Sequence, residues 1–315
     1  MIGYSPDIST LTRPVWSVEP RVRSVSLKHS PLYLIMTTAV PLMTDRIAIL
    51  TGGAGEIGSA FARGLLAEGV KVAILDLDGP KVAALADQLS EGGTHAVMGI
   101  KCDVMSAESI KTAEAEVSAA WGAPSFLINC AGGNQPGATS QAEQVAADLS
   151  NLDESFFGID IASFGQAVDL NLMGTVLPCS VIGRRMVENG GGAIVNISSM
   201  NAMRPLTRIP AYAAGKSAVT NFTEWLAVHL ATAKVRVNAI APGFFLTEQL
   251  KYLAFEADGE LTPRYQRVLA NTPMGRFGEP EELIGTLLYL LSDQSRFVTG
   301  AVIPVDGGFN AYSGV

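Results

Sequence analysis

From Asp45 onward, short apolar runs alternate with stretches of helical period. The runs are Arg46 to Leu50, Lys71 to Leu75, His95 to Lys101, Ser125 to Ile128, Ala193 to Ile197, Val235 to Ile240 and Ala301 to Val305, seven candidate strands. They are apolar throughout rather than at every second position, so both faces are buried and helices must cover a parallel sheet above and below. Helical patterns fill the gaps at Ile57 to Glu68, Lys81 to Leu89, Ala107 to Trp121, Ser163 to Glu188, Tyr212 to Ala233 and Pro280 to Leu291. Because βαβ crossovers are nearly always right-handed and dock on alternate faces, the expected class is α/β, a single-domain, doubly wound parallel sheet of about seven strands with helices on both faces, covering residues 45–315. Gly190, Gly191 and Gly192 break a helix from the next strand and need no functional explanation. Two connections are long, Asn134 to Ile161 and Phe244 to Arg276. Both follow the carboxyl end of a strand, where open α/β sheets bind ligands, so they are expected to wall a substrate pocket.

The first 44 residues follow neither period. Pro6, Pro14, Pro20, Pro31 and Pro41 interrupt them, and Arg13, Arg21, Arg23 and Lys28 against Asp7 and Glu19 leave a small positive surplus. An irregular extension, or a start placed upstream of the true initiator at Met36 or Met43, is favoured over an organellar transit peptide, because acidic residues and prolines spoil an amphipathic helix.

Over the whole chain the net charge is −8, which argues against a phosphate-tracking nucleic-acid surface. No apolar stretch is long enough to span a bilayer, so no membrane partner is expected. Cys102, Cys130 and Cys179 are too few and too scattered for a disulfide framework, which fits a reducing cytoplasm. His29, His95 and His229 have no metal-ligand spacing, and no metal is expected. A small-molecule ligand is left as the natural partner.

The first candidate strand runs into Thr51-Gly52-Gly53-Ala54-Gly55-Glu56-Ile57-Gly58. Its Gly53-x-Gly55-x-x-Gly58 spacing suits a tight turn, close approach of backbone to a pyrophosphate and helix-on-sheet packing in a Rossmann-type arrangement. A turn of this kind also occurs as a plain connection; its place between strand and helix favours a dinucleotide. Asp76 ends the second strand, where a carboxylate can accept from both adenosine ribose hydroxyls and repel a 2′-phosphate. NAD is therefore favoured over NADP, with Asp78 able to substitute for Asp76.

Tyr212 and Lys216 lie four apart at the start of a helix and so share a face. A phenol titrates near ~10, and an adjacent ammonium favours its phenolate, moving it toward general acid/base work. Ser199 stands at the carboxyl end of the fifth strand, where its hydroxyl can point at the same substrate oxygen.

In this order and spacing the chain resembles the classical short-chain dehydrogenase/reductase family from Asp45 to Phe309. The family's Thr-Gly-x-x-x-Gly-x-Gly falls on Thr51 to Gly58, its Asn-Asn-Ala-Gly on Asn129-Cys130-Ala131-Gly132, its catalytic Asn on Asn171 and its Pro-Gly-x-x-x-Thr on Pro242 to Thr247. The resemblance implies that Tyr212 is the general acid/base, that Lys216 lowers its pKa and holds the nicotinamide ribose, that Ser199 orients the reacting oxygen and that Asn171 anchors a relay water. It further implies cofactor contacts from Asp103 with Val104 on the adenine, from Asn129, Ala131 and Gly132 after the fourth strand, and from Pro242, Gly243 and Thr247 at the nicotinamide. Two positions depart from the pattern. Glu56 replaces a motif glycine and puts a carboxylate near the pyrophosphate, where repulsion weakens binding unless the side chain turns away. Cys130 replaces the second Asn, and reads as a small buried thiol rather than a reactive one.

Within the family, Ser198 to Thr207, Ala241 to Gln249, Thr272 to Pro280 and Val305 to Val315 are similar to the branch of D-mannonate oxidoreductases, or fructuronate reductases. That implies an NAD-dependent exchange between a secondary alcohol and a ketone on a sugar acid. Such a substrate needs a cation for its carboxylate and amides for its hydroxyls. Asn134, Asn201 and Arg204 are the expected partners beside Ser199, with Arg208 and Gln249 behind them, though each is equally readable as a surface residue. Other readings stay open: the same chemistry on another polyol, ketose or gluconate, or a non-catalytic dinucleotide-binding regulator. Apolar patterning of the Ser163 to Glu188 and Tyr212 to Ala233 helices exceeds what one sheet face needs, and with the resemblance implies a homotetramer or homodimer.

Overall fold

The computed structural model describes residues 43–91 and 96–314. The expectations for the N-terminal extension, for His29 and for His95 with the start of the third strand therefore fall outside the described residues.

Seven strands form: β1 (Ile47–Thr51), β2 (Lys71–Asp76), β3 (Val97–Lys101), β4 (Phe126–Asn129), β5 (Gly192–Ile197), β6 (Val235–Pro242) and β7 (Val302–Val305). They pair in parallel in the order β3-β2-β1-β4-β5-β6-β7. Alternate residues of one strand feed opposite faces, which is why the runs are apolar throughout. Ala48 and Leu50 of β1, with Val72 and Ile74 of β2, join one buried cluster; Ile47 and Ile49, with Ala73 and Leu75, join the other. The first cluster is roofed by α1 (Glu56–Ala67), α2 (Gly79–Ser90) and α8 (Ile284–Leu291), the second by α3 (Ala107–Trp121), α4 (Ile161–Glu188) and α5 (Pro210–Leu230). The single-domain, doubly wound α/β sheet with helices on both faces is what the periodicity predicts.

Strand order reverses between β1 and β4. The loops leaving those two strands diverge to opposite faces, opening the crevice that a ligand uses in sheets of this class. The two long connections rise beside it. The stretch 134–161 carries three single helical turns, Pro136–Ala138, Leu152–Glu154 and Phe156–Gly158. The stretch 244–276 contains two short helices that hydrophobic period does not reveal, α6 (Glu248–Ala254) and α7 (Pro263–Ala270). Both are announced by their caps: Thr247 Oγ accepts from the Leu250 amide at 3.1 Å and Thr262 Oγ from the Tyr265 amide at 3.4 Å. Among the described residues, no helix is long and apolar enough to cross a membrane, and no cluster of three or more His, Cys, Asp or Glu could hold a metal.

Candidate active site

The glycine turn is shaped by close backbone approach. Gly52 has φ of +60°, and a Cβ there would lie 2.6 Å from Ala131 Cα, so the loops after β1 and β4 touch only because this residue is glycine. A Cβ on Gly58 would lie 2.5 Å from the Gly52 carbonyl oxygen, which presses α1 against the turn. Thr51 Oγ1 accepts from the Cys130 and Ala131 amides at 3.2 and 3.3 Å, tying the same two loops together. Gly55 caps α1 without a side-chain bond, so the first amides of the helix and its positive dipole end are left for an anion.

Around this turn lies a cleft of about 680 Å³. Of the expected cofactor residues, Gly52, Gly55, Ile57, Gly58, Asp76, Asp103, Val104, Ala131, Gly132, Pro242, Gly243 and Thr247 line it, together with Tyr212 and Lys216. Asp76 Oδ2 accepts from the Ala54 amide at 3.0 Å, which fixes the carboxylate at the end of β2 with acceptor capacity to spare. Asp78 does not stand in for it: its Oδ1 caps α2 by accepting from the Lys81 amide at 3.0 Å. The bare backbone cradle, the uncapped helix start and the acceptor carboxylate together fit a dinucleotide whose ribose keeps its 2′-hydroxyl.

Four expected cofactor residues are not on the cleft wall. Thr51 and Gly53 stand behind the turn; Gly53 donates to the Leu75 carbonyl at 3.1 Å and a Cβ on it would strike Ile74. Asn129 is buried and donates to Cys179 Sγ at 3.2 Å and to Asn196 Oδ1 at 2.9 Å, so it braces β4 against β5 and α4 rather than facing the cleft. Glu56 turns outward, and its Oε1 accepts from the Glu248 amide at 2.8 Å. The repulsion it threatened is thereby directed away from the phosphate-binding amides.

Tyr212 and Lys216 sit one turn apart near the start of α5, opposite Ser199 at the end of β5 and Asn171 in α4. Lys216 Nζ donates to the Ile197 carbonyl at 2.7 Å and lies 5.7 Å from the Tyr212 ring centroid. Asn171 is fully buried; its Nδ2 donates to the Gly133 and Ala167 carbonyls at 2.6 and 2.7 Å, and its Oδ1 accepts from the Gly133 amide at 3.2 Å. A Cβ on Gly132 would lie 2.7 Å from Asn171 Oδ1 and 3.1 Å from Lys216 Nζ, so all three meet at one point. Burial raises the Tyr212 phenol, while a hydrogen bond with Ser199 pulls it down. Burial also lowers the Lys216 amine to about 8. At Tyr212 burial is the larger influence, so the phenol stands above its ordinary value. Cys130 lines the cleft, and burial pushes its thiol up to about 11, the state of an inert neutral group.

The substrate expectations divide. Asn134 and Ser199 line the cleft. Asn134 Oδ1 is buried with no partner, its Nδ2 being bound to Thr139. Asn201 is buried behind Ser199: its amide donates to Ser199 Oγ at 3.1 Å, and its Nδ2 is also without a partner. Arg204 does not join them; it is exposed and off the cleft wall, because a helical turn over Met200–Ala202 turns the chain outward before it. Of Gln249 only the backbone, at the start of α6, is described. Phe244, Phe245, Leu250 and Leu253 of the second long connection line the cleft, while Ile209 and Lys81, also on its wall, escaped sequence reading. Only the cap signals of α6 point toward Leu250 and Leu253.

A family model described as enoyl-(acyl carrier protein) reductase matches residues 52–310. An uncharacterized oxidoreductase, UxuB, of Bacillus subtilis is 43% identical over 87% of this chain and 98% of its own length. A D-threitol dehydrogenase of Mycolicibacterium smegmatis is 34% identical over 87% of this chain and 99% of its own. A crystal structure with bound NAD from Haemophilus influenza, provisionally named a D-mannonate oxidoreductase, superposes with a TM-score of 0.83 at 42% identity, covering 87% of this chain and 98% of that one.

Proposed function

The chain belongs to the short-chain dehydrogenase/reductase family, and we propose, from that premise, that this NAD-dependent oxidoreductase interconverts D-mannonate and D-fructuronate. The observation that carries the chemistry is the meeting of Tyr212, Lys216, Ser199 and Asn171 beside the glycine cradle. Bound at the turn amides and Asp76, NAD accepts the hydride from the alcohol carbon. Tyr212 takes the hydroxyl proton in oxidation and returns it in reduction, and Ser199 holds the reacting oxygen and offsets part of the burial that raises the phenol. In this reading the Lys216 amine, at about 8, passes that proton on toward a relay water anchored at Asn171.

Support for a sugar acid comes from the similar proteins and from Asn134 on the cleft wall, whose Oδ1 has no partner and can accept from a hydroxyl. For the carboxylate, Arg208 joins Arg204 as a candidate; neither lines the cleft, but Arg208 precedes the cleft residue Ile209 and its guanidinium donates to the Ser140 carbonyl at 2.9 Å and Gln141 Oε1 at 3.4 Å. A neutral polyol is the second reading, favoured by the fact that, among the described residues, Lys81 and Lys216 are the only cations lining the cleft. Self-association is proposed through α5, where Trp225 is 58% and Val228 80% exposed, and Trp225 stacks on His229. The three cysteines are free, as in a cytoplasmic enzyme.

The test follows reduced-cofactor absorbance with D-mannonate, D-gluconate, D-altronate and neutral polyols, each with NAD and NADP. The acid is expected to turn over with NAD, and Tyr212→Phe to lose about 10³-fold or more of that rate. Preference for a neutral polyol overturns the sugar-acid assignment; an undiminished Tyr212→Phe overturns the acid/base role.

A further inference from the structure

The outward turn of Glu56 does more than remove a charge from the phosphate site. Glu56 opens α1, while Glu248, whose amide it accepts at 2.8 Å, opens α6. These two helices stand on either side of the cleft mouth, with Gly58 of the first and Leu250 and Leu253 of the second on its wall.

The rest of α6 is held by packing of Leu250 and Ala254 with Tyr265, Val268 and Phe277 and by few hydrogen bonds. Leu246, before it, donates to the Gly278 carbonyl at 2.7 Å, and Ala254, at its end, accepts from the Thr262 amide at 2.8 Å. Between those anchors, among the described hydrogen bonds, the Glu248 amide bond to Glu56 is the only one that reaches a distant part of the chain. The others close on it locally: Thr247 caps Leu250, and Glu248 pairs with Lys251 at 2.7 Å. The Glu248 carboxylate is thus occupied by its own helix, and the Glu56 carboxylate is free to take the backbone.

We propose that Glu56 is a positioning residue that latches the first turn of α6 to α1, so that a dinucleotide seated on the glycine turn is released only as this bond opens. The inference rests on the NAD-binding part of the reading above and is independent of the substrate. Simple electrostatics makes the opposite prediction: a carboxylate beside a pyrophosphate repels, and its removal tightens binding.

The experiment uses the full chain and NADH, without substrate. Stopped-flow NADH dissociation and amide hydrogen exchange across 248–253 are measured for wild type, Glu56→Ala, Glu56→Gly and Glu56→Gln. The latch predicts dissociation about fivefold faster and raised exchange in the Ala and Gly variants. Glu56→Gln, whose amide oxygen accepts the same bond, stays within about twofold of wild type. Dissociation unchanged or slower in Glu56→Ala, or faster without any rise in exchange across 248–253, overturns the proposal. Wild type that binds no NADH overturns the cofactor reading instead, and the two failures are therefore distinct.

Discussion

The two ends of the cleft are built by different means. At the nucleotide end, recognition is a property of backbone: glycines permit loop contacts that any Cβ forbids, and a helix start offers its own amides. Beyond it, the two long connections are tied together by side chains reaching across the sequence. Arg264 donates to Glu143 at 2.8 Å and to Thr207 at 2.7 Å, Arg267 reaches the same Glu143 at 2.7 Å, and Arg208 holds Ser140. The first kind of site comes with the fold. The second can be retailored by exchanging a few contacts, which is how one scaffold serves many substrates.

The contrast can be broken most sharply at Gly52. An alanine there meets both a left-handed backbone and the Ala131 Cα at 2.6 Å, so Gly52→Ala is expected to cost about 3 kcal/mol and to abolish NADH binding. Calorimetry together with fluorescence titration of NADH checks both losses; a stable variant with normal affinity contradicts the backbone account.

At the seam between the two ends, Lys216 contributes a smaller effect of opposite sign. Its buried amine is lowered from 10.5 to about 8, so below pH 8 it is charged in both folded and unfolded chains and burial penalises the fold. The penalty fades as pH rises from about 8 to 10.5 and is absent above. Lys216→Met is therefore expected to be inactive yet more stable at pH 7 by about 2 kcal/mol, after discounting the lost Ile197 bond, with the gap closing across that window. Thermal unfolding at pH 7, 9 and 10.5 measures it, and a less stable variant at pH 7 refutes it.

The smallest change in stability belongs to the tie between the two long connections. Glu143 is partly exposed, with a side-chain accessibility of 36%, so removing its two ion pairs in Glu143→Ala is expected to cost about 1 kcal/mol or less. Substrate KM should nevertheless rise severalfold while NADH affinity holds, since the 134–161 and 244–276 segments lose their tie. An equal loss in both affinities erases the distinction between the two ends.

What could be read in advance follows the same division. Strands, principal helices and the glycine turn depend on local period and spacing, and their positions in the fold agree with the reading to within a few residues. The positions of Asp76 and Ser199 on the cleft were legible because a strand end is a defined place. Arg204 stands off the cleft wall because proximity in sequence to Ser199 says nothing of the turn that carries it outward. The roles of Glu56 and Glu143 were hidden because their partners, Glu248 and Arg264, lie far along the chain. No periodicity encodes such pairs.

The reversal of strand order between β1 and β4 has a consequence for how the protein can change over generations. The crevice there is an interval between diverging chain paths, so no interior atom had to be sacrificed to create it. Lineages can rewrite what overhangs that interval while the sheet beneath, with its filled interior, is left untouched.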